Sequence, residues 1–144
     1  MEDSASSIKL PARMDSLMQS LAFVGSFTGK CGFDQKRSGE IELCLEEVLV
    51  NIINYAYPDS PGDFEIACRM TDNGTLIIDI IDQGIPFDVL SVDDPNTAAT
   101  VDERRIGGLG IFFVKQLMDD VQYHRINDKN ILTLSVYAQA AHKK

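Results

Sequence analysis

The sequence predicts an α+β fold, a two-layer sandwich in which a mostly antiparallel, mixed sheet is covered on one face by about three helices. Two pairs of alternating apolar and polar segments, each pair joined by a short turn, indicate β-hairpins and therefore antiparallel pairing. Three further segments repeat apolar residues at helical spacing. The 144 residues suit one domain, which we place at residues 8–138 with short tails at 1–7 and 139–144.

The first half of the chain predicts a short strand followed by two helices. Residues Ile8–Leu10 suit a strand that is ended by a proline. Apolar residues at helical spacing from Met14 onward indicate an amphipathic helix that ends near Gly29–Gly32. Asp34 is a typical N-cap for a second helix over about Gln35–Tyr55. Because much of that helix's circumference is apolar, we expect it to pack against neighbours on more than one side.

The second half predicts two hairpins separated by a long loop and a helix. Because Leu76–Ile81 is almost continuously apolar, we expect it at the centre of the sheet. The residues from Gln83 to Ile106 favour a loop, and a connection of about twenty residues inside a compact domain is usually functional. A third helix begins at the glycines that follow. The remaining strands and turns are predicted at Phe64–Met70, Asp72–Gly74, Val121–Arg125, Asn127–Asn130 and Ile131–Tyr137.

Composition argues against several classes of protein. Acidic residues outnumber basic ones by 22 to 13, and the net charge of −9 disfavours binding to nucleic acid or to an anionic membrane. No apolar run approaches the ~20 residues of a membrane span. Cys31, Cys44 and Cys68 form no C-x-x-C pair, so neither a zinc site nor a disulfide framework is expected. We therefore expect a cytoplasmic protein with reduced thiols and no nucleic-acid or membrane partner.

The first polar feature within an apolar element is the pair Glu47 and Asn51 on the second helix. These two residues are four apart and share one face. A carboxylate there can act as a general base, and an amide oxygen is a ligand suited to Mg²⁺. The alternative is a solvated polar stripe that also includes Glu40 and Asn54.

The second feature is Asp82-x-Gly84-x-Pro86 at the end of the central strand. Asp82 follows a run of isoleucines, and its carboxylate can accept a hydrogen bond from a ligand's amine. Gly84 permits either a close backbone approach or a positive φ. A plain turn is the alternative, because D-x-G is common in loops.

The third feature is Gly107-Gly108-Leu109-Gly110 at the start of the third helix. Glycines there expose backbone N–H groups at the positive end of the helix dipole, which suits a phosphate. Arg104 and Arg105 precede them and can add charge-assisted hydrogen bonds. A flexible hinge is the alternative. The segment lacks the G-x-x-x-x-G-K-[ST] of a P-loop, and it follows a long loop rather than the strand that a dinucleotide-binding fingerprint needs.

In this order the three features resemble the GHKL (Bergerat) ATP-binding fold of histidine-kinase catalytic domains and gyrase B. Glu47 to Asn51 resembles its N-box, Asp82-Gln83-Gly84 its G1 box and Gly108-Leu109-Gly110 its G2 box. The finer resemblance is to the anti-sigma regulatory serine/threonine kinases, small stand-alone members of that superfamily. That resemblance covers about Ile8–Tyr137 and is carried by Leu45–Ile53, Asp82–Asp88, Gly107–Ile111 and Gln116–Asp119.

The resemblance implies a role for each of these residues. Glu47 would be the general base that activates a serine hydroxyl, and Asn51 would hold Mg²⁺ against the triphosphate. Asp82 would bind the adenine amine, while Gly84 would shape the adenine pocket. Pro86 replaces the second glycine of the histidine-kinase pattern D-x-G-x-G and fits the serine-kinase members better. The implied nucleotide-binding residues are Asn51, Asp82, Gly84, Pro86, Arg105, Gly107, Gly108, Leu109 and Gly110.

The resemblance also implies a function. The protein would be an ATP-dependent serine/threonine protein kinase of the anti-sigma factor type, using ATP and Mg²⁺. It would phosphorylate a small STAS-type antagonist and exchange that partner for a sigma factor, and a homodimer is also compatible. The loop Ile85–Ile106 would be a mobile lid ordered by the γ-phosphate and Mg²⁺. Two alternatives stay open: a non-catalytic, nucleotide-gated binding module that sequesters a regulatory partner, and a kinase regulated in trans outside sigma control.

Overall fold

The computed structural model describes residues 5–88, 90 and 109–137, with the backbone alone at 109 and 110. Within these ranges no helix combines the length and the apolar character that a membrane crossing requires. In chain order the elements are strand β1 (Ala5–Pro11), a single 3₁₀ turn (Met14–Ser16), helices α1 (Leu17–Lys30) and α2 (Gln35–Tyr55), strands β2 (Asp63–Met70) and β3 (Thr75–Asp82), helix α3 (Leu109–Leu117), and strands β4 (Asp120–Ile126) and β5 (Lys129–Tyr137).

The described strands form one sheet in the order β1-β2-β3-β5-β4, and each neighbouring pair is antiparallel. Strand β3 lies at the centre, as its apolar run predicted. Side chains alternate between the two faces of the sheet, and the buried ones lie on the face that the helices cover. This arrangement confirms the predicted α+β sandwich. The buried apolar residues of the three inner strands are Phe64, Ile66, Cys68, Leu76, Ile78, Ile80, Leu132, Leu134 and Val136.

Helix α2 positions the site, and its bounds are those predicted. The Oδ1 atom of Asp34 accepts a hydrogen bond from the backbone N–H of Arg37 at 2.8 Å, which caps the first turn. Helices α1 and α3 both pack against α2, so the expectation of neighbours on more than one side is confirmed. Its buried residues are all apolar except Asn51, and they are Ile41, Cys44, Leu45, Val48, Leu49, Asn51 and Ile52.

Strand β1 and the closing hairpin differ most from the prediction. Strand β1 begins at Ala5, inside the segment predicted as a tail, because it pairs with β2 along its whole length. The closing hairpin turns at Asn127 and Asp128, whose φ angles are 52° and 66°, as a two-residue hairpin turn requires. The predicted turn Asn127–Asn130 is therefore too long. Asn130 belongs to β5, where it lies opposite Asp82 of β3.

Candidate functional site

A small pocket of about 30 Å³ lies between helix α2 and the sheet. Three buried polar side chains meet there from three elements: Asn51 from α2, Asp82 from the end of β3 and Asn130 from the start of β5. The sequence predicted the first two of these as site residues, and the structure adds the third. The remaining lining residues are mostly apolar and comprise Val48, Ile52, Ala56, Ile80, Phe87, Tyr123 and Leu132.

Asp82 supplies the carboxylate of this pocket and is only 5% exposed. Its Oδ1 atom accepts two hydrogen bonds, from the backbone N–H of Gly84 at 2.8 Å and from Nδ2 of Asn130 at 2.9 Å. Burial raises the pKa of the carboxyl group above its ordinary value, while these hydrogen bonds and the charge of Arg125 oppose the rise. No described residue donates a hydrogen bond to Oδ2. That oxygen is therefore the acceptor that can meet a ligand's amine.

Asn51 lines the same pocket and is 4% exposed. No hydrogen bond joins its carboxamide to another residue in the described part of the chain. Buried polar groups in proteins nearly always have a partner. The amide of Asn51 therefore lies at the pocket among mostly apolar side chains.

Glu47 lies one helical turn before Asn51, about 5–6 Å along the same face. It is half-buried, whereas the neighbouring Glu46 is exposed. Burial raises the pKa of the Glu47 carboxyl group, and the charge of Glu46 raises it further. None of the ion pairs among the described residues involves Glu47. Because Asn51 is buried, the alternative of a solvated stripe is wrong for that residue, whereas Glu47 is half-buried, as is Glu40.

Gly84 is buried where the end of β3 approaches the end of α2. The backbone N–H of the next residue donates a hydrogen bond to the carbonyl oxygen of Ala56 at 2.9 Å. A Cβ atom at Gly84 would overlap that carbonyl group and would lie 2.6 Å from the Cβ of Ala56. Close approach, and not a left-handed backbone, therefore requires the glycine. Pro86 is exposed one residue before Phe87 and borders an open groove that also contains Arg125.

The predicted phosphate-binding segment lies mostly outside the described residues. Arg104, Arg105, Gly107 and Gly108 fall there, as does most of the predicted lid. Leu109 and Gly110 are the first two residues of α3, and only their backbone is described. The role of this segment therefore stays a prediction.

The sequence missed four residues that shape the pocket or its entrance: Asn130, Tyr123, Phe87 and Arg125. The guanidinium of Arg125 donates a hydrogen bond through Nη1 to the carbonyl oxygen of Gly84 at 2.8 Å. A correct two-residue turn at Asn127 and Asp128 would have revealed Asn130, because it places that residue in β5 on the helix-facing side. Phe87 lies within the motif Asp82–Asp88 but received no role there, and no motif contains Tyr123. The positions of both side chains at the pocket depend on the tertiary fold.

The residues present fit a nucleotide and Mg²⁺. Apolar walls suit a flat base, and one carboxylate oxygen suits the base's amine. The described residues include no cluster of three or more histidine, cysteine or acidic side chains that could hold a metal ion. Mg²⁺ commonly binds through one or two protein oxygens together with substrate phosphates, and Asn51 can supply one such oxygen. The pocket of about 30 Å³ is smaller than a purine, so a base can enter it only if the pocket widens.

Comparison with known sequences identifies a family for this chain. The family described as histidine kinase-like ATPase domain matches residues 10–136. Serine-protein kinase RsbW of Oceanobacillus iheyensis is 25% identical over 120 residues, which cover 80% of this chain and 75% of the relative. Serine/threonine-protein kinase BtrW of Bordetella bronchiseptica is 28% identical over 99 residues, which cover 68% of this chain and 69% of the relative.

Solved structures share the fold. The RsbU and RsbW domains of a Mycobacterium tuberculosis protein align with a TM-score of 0.66 and 16% identity over 94% of this chain and 32% of that chain. The blue-light-activated histidine kinase EL346 of Erythrobacter litoralis aligns with a TM-score of 0.57 and 21% identity over 78% of this chain and 34% of that chain. The chain thus spans about a third of either protein, and the likeness supports the fold alone. The family and fold that the three motifs predicted are confirmed.

Proposed function

Because the chain belongs to the histidine kinase-like ATPase domain family, we propose that it is an ATP-dependent serine/threonine protein kinase of the anti-sigma factor type. The observation that carries the proposal is the arrangement on α2. Asn51 is buried in the pocket opposite Asp82, and Glu47 lies half-buried one turn before it. This arrangement supports a nucleotide site with a candidate general base beside it on the same helix.

The base of ATP is held by the pocket in this proposal. Oδ2 of Asp82 accepts a hydrogen bond from the adenine amine, because Oδ1 is already occupied by Gly84 and Asn130. The apolar side chains on both sides of the pocket exclude water from that hydrogen bond, which strengthens it. Guanine carries a carbonyl oxygen in place of the amine and would face the same carboxylate unfavourably.

The triphosphate extends from this pocket toward α2 and the start of α3. Asn51 would hold Mg²⁺ through its amide oxygen, and the ion would supply the positive charge that this protein of net charge −9 does not itself offer to the phosphates. The expected phosphate contacts are Arg105, Gly107, Gly108, Leu109 and Gly110, and Pro86 would stiffen the entrance of the loop.

Glu47 acts as the base during transfer. Its carboxylate accepts the proton of a serine hydroxyl while the serine oxygen forms a bond to the γ-phosphorus and the bond to the β-γ bridging oxygen breaks. ADP leaves, and the phosphoserine carries the transferred group. Phosphoryl transfer depends mainly on positioning and charge stabilisation, and a residue that orients the nucleophile completes the set. The raised pKa of Glu47 makes it a better proton acceptor than an ordinary surface glutamate.

The names of the relatives, serine-protein kinase RsbW and serine/threonine-protein kinase BtrW, support a serine of another protein as the phosphoacceptor. We infer a small STAS-type antagonist as the phosphoacceptor and a sigma factor as the competing partner, in the cytoplasm. Nucleotide state would bias the choice between the two partners, because only differential binding can shift such an equilibrium.

The test begins with capture of partners on the tagged full chain from its native cell, followed by mass spectrometry. Each purified partner is then incubated with the chain, Mg²⁺ and γ-labelled ATP. The proposal predicts label on one serine of one partner, identified by peptide mapping. A partner that binds in a nucleotide-dependent way without acquiring label would favour the non-catalytic binding module. If calorimetric titration with ATP or ADP releases no heat, both the kinase and the nucleotide-gated binding module are overturned.

A further inference from the structure

The side-chain amide of Asn130 makes four hydrogen bonds at the pocket, none of which belongs to the backbone pairing of the strands. Its Nδ2 donates to Oδ1 of Asp82 at 2.9 Å and to the carbonyl oxygen of Ile85 at 2.8 Å. Its Oδ1 accepts from the hydroxyl of Tyr123 at 2.5 Å and from the backbone N–H of Phe87 at 3.4 Å. Both ends of one amide, 5% exposed, are therefore fixed by neighbours on β3, on β4 and in the loop after β3.

These bonds restrict Asp82 directly. Its carboxylate is held at Oδ1 by Asn130 from one side and by the backbone N–H of Gly84 from the other. A carboxylate with one oxygen fixed in this way has little freedom to rotate, so Oδ2 is presented in one direction. The same amide binds the backbone at Ile85 and Phe87, and Phe87 is itself part of the pocket wall.

We propose that Asn130 is the positioning residue for base selectivity: it orients Asp82 toward the adenine amine and holds the backbone of Ile85 and Phe87 beside the pocket. This inference rests on the proposed ATP-binding function and extends it to a residue outside the three sequence motifs. Asn130 acts through Asp82, and its removal should therefore change the discrimination between adenine and guanine more than the affinity for phosphate.

The substitution Asn130→Asp tests this with almost no change in shape. It keeps an oxygen that can accept from Tyr123 but replaces the donor that faces Asp82 with a second oxygen. Two carboxyl groups at that distance cannot both stay ionised in contact, so Asp82 is no longer held as a lone acceptor. Tyr123→Phe is a milder second variant, because it removes only the hydroxyl that fixes the far end of the Asn130 amide.

Thr133→Val provides the matched control. Thr133 lies on β5 with Asn130, and its hydroxyl donates to Oδ1 of Asp79 on β3 at 2.5 Å. The control therefore removes a hydrogen bond to an aspartate between the same two strands. Thr133 and Asp79 are partly exposed and lie outside the pocket lining.

The experiment is calorimetric titration of the full chain with ADP and with GDP, each in the presence of Mg²⁺. We expect Asn130→Asp to raise the Kd for ADP about 10- to 100-fold, the loss expected for one charged hydrogen bond, and to change the Kd for GDP less than about 3-fold. Tyr123→Phe should lower the ADP-over-GDP preference by a smaller factor. Thr133→Val should leave both affinities at the wild-type values.

The outcomes separate this inference from the function on which it rests. If the wild type prefers ADP and a folded Asn130→Asp variant keeps that preference, the inference is overturned while the ATP site stands. If Asn130→Asp does not fold, an unchanged preference in Tyr123→Phe overturns it in the same way. If the wild type binds neither nucleotide, the proposed function and this inference fail together.

Discussion

Asp82 and Asn51 are both almost completely buried at the pocket, yet their hydrogen bonding differs. Asp82 has one oxygen fully engaged and its pKa raised by burial, whereas no described residue bonds the Asn51 amide. Burial also raises the pKa of Glu47. Ionisable groups with perturbed pKa values concentrate at functional sites. At the scale of the residue, Asp82 and Asn51 line one pocket, where we expect both to contact a ligand.

Replacing Asp82 by Asn should reduce adenine selectivity more than phosphate affinity. The amide keeps an acceptor for Gly84 and Asn130 but loses the charged oxygen that would meet the base, which is worth roughly 1.5–3 kcal/mol. Titration with ATP and GTP measures the two affinities separately. Equal weakening for both nucleotides would contradict the role assigned to Asp82.

Replacing Gly84 by Ala should lower the free energy of unfolding by about 1–3 kcal/mol, because the added methyl group overlaps the end of α2. Gly39→Ala is the matched control inside α2, where no atom lies within 4 Å of an added Cβ. The control should raise stability by about 1 kcal/mol. Urea denaturation measures both. A neutral Gly84→Ala would show that β3 and α2 are not in the close contact described.

Phosphoryl transfer should depend on pH through Glu47. The base must be ionised, and its pKa is raised by burial and then by the charge of Glu46. The single-turnover rate should be level above that pKa and fall about tenfold per pH unit below it. Glu46→Gln removes one cause of the raised pKa of Glu47. The fall in rate on the acid side of its pH–rate profile should therefore occur at lower pH than in the wild type. Coincident profiles of the two proteins would contradict this assignment.

At the scale of the element, a clamp at the first turn of α2 holds the helix to α3. The Nη1 atom of Arg37 donates to the carbonyl oxygen of Leu117 at 2.6 Å and to Glu40 at 2.7 Å, and its Nη2 atom donates to Asp119 at 3.2 Å. The side chain of Arg37 is only 17% exposed. These bonds therefore join the start of α2, the helix that carries Glu47, to the end of α3.

Arg37→Met should lower the free energy of unfolding by about 1.5–3 kcal/mol, because it keeps the apolar stem but leaves charged and carbonyl acceptors unpaired. Arg13→Met is the control. Its ion pair with Asp15 is largely exposed, at 67% and 75%, and should contribute less than about 1 kcal/mol. Thermal and urea unfolding report the difference. Equal effects of the two substitutions would contradict the stabilising role of the Arg37 bonds.

Periodicity and capping predicted α2 to the residue, because Asp34 marks its start and apolar positions recur along its length. The same reasoning found Asp82 and Asn51, since each interrupts an apolar run. Asn130 was not predicted as a site residue, because residues near a turn carry no periodic signal and the predicted turn is two residues too long. The same reasoning missed Phe87 and Tyr123 because only the pairing of β4 with β5 and the path after β3 bring them to the pocket.

At the scale of the whole molecule, the helices cover one face of the sheet and the pocket lies between that face and α2. The family match over residues 10–136 includes every described residue of the pocket. The net charge of −9 gives no general attraction for a nucleotide, so the proposed binding would depend on the local pocket and on Mg²⁺. The central claim is therefore local: Glu47 is the base for transfer from a nucleotide held beside Asn51.

The measurement that tests this claim most directly is a single-turnover transfer assay with labelled ATP and the phosphoacceptor found by co-purification. Wild type is compared with Glu47→Gln and with Glu46→Gln, whose side chain points about 100° away on the helix. We predict that Glu47→Gln lowers the transfer rate by about 10²–10⁴-fold while the Kd for ATP stays within about 3-fold. Glu46→Gln should transfer at nearly the wild-type rate at neutral pH. Full transfer by Glu47→Gln would contradict the account.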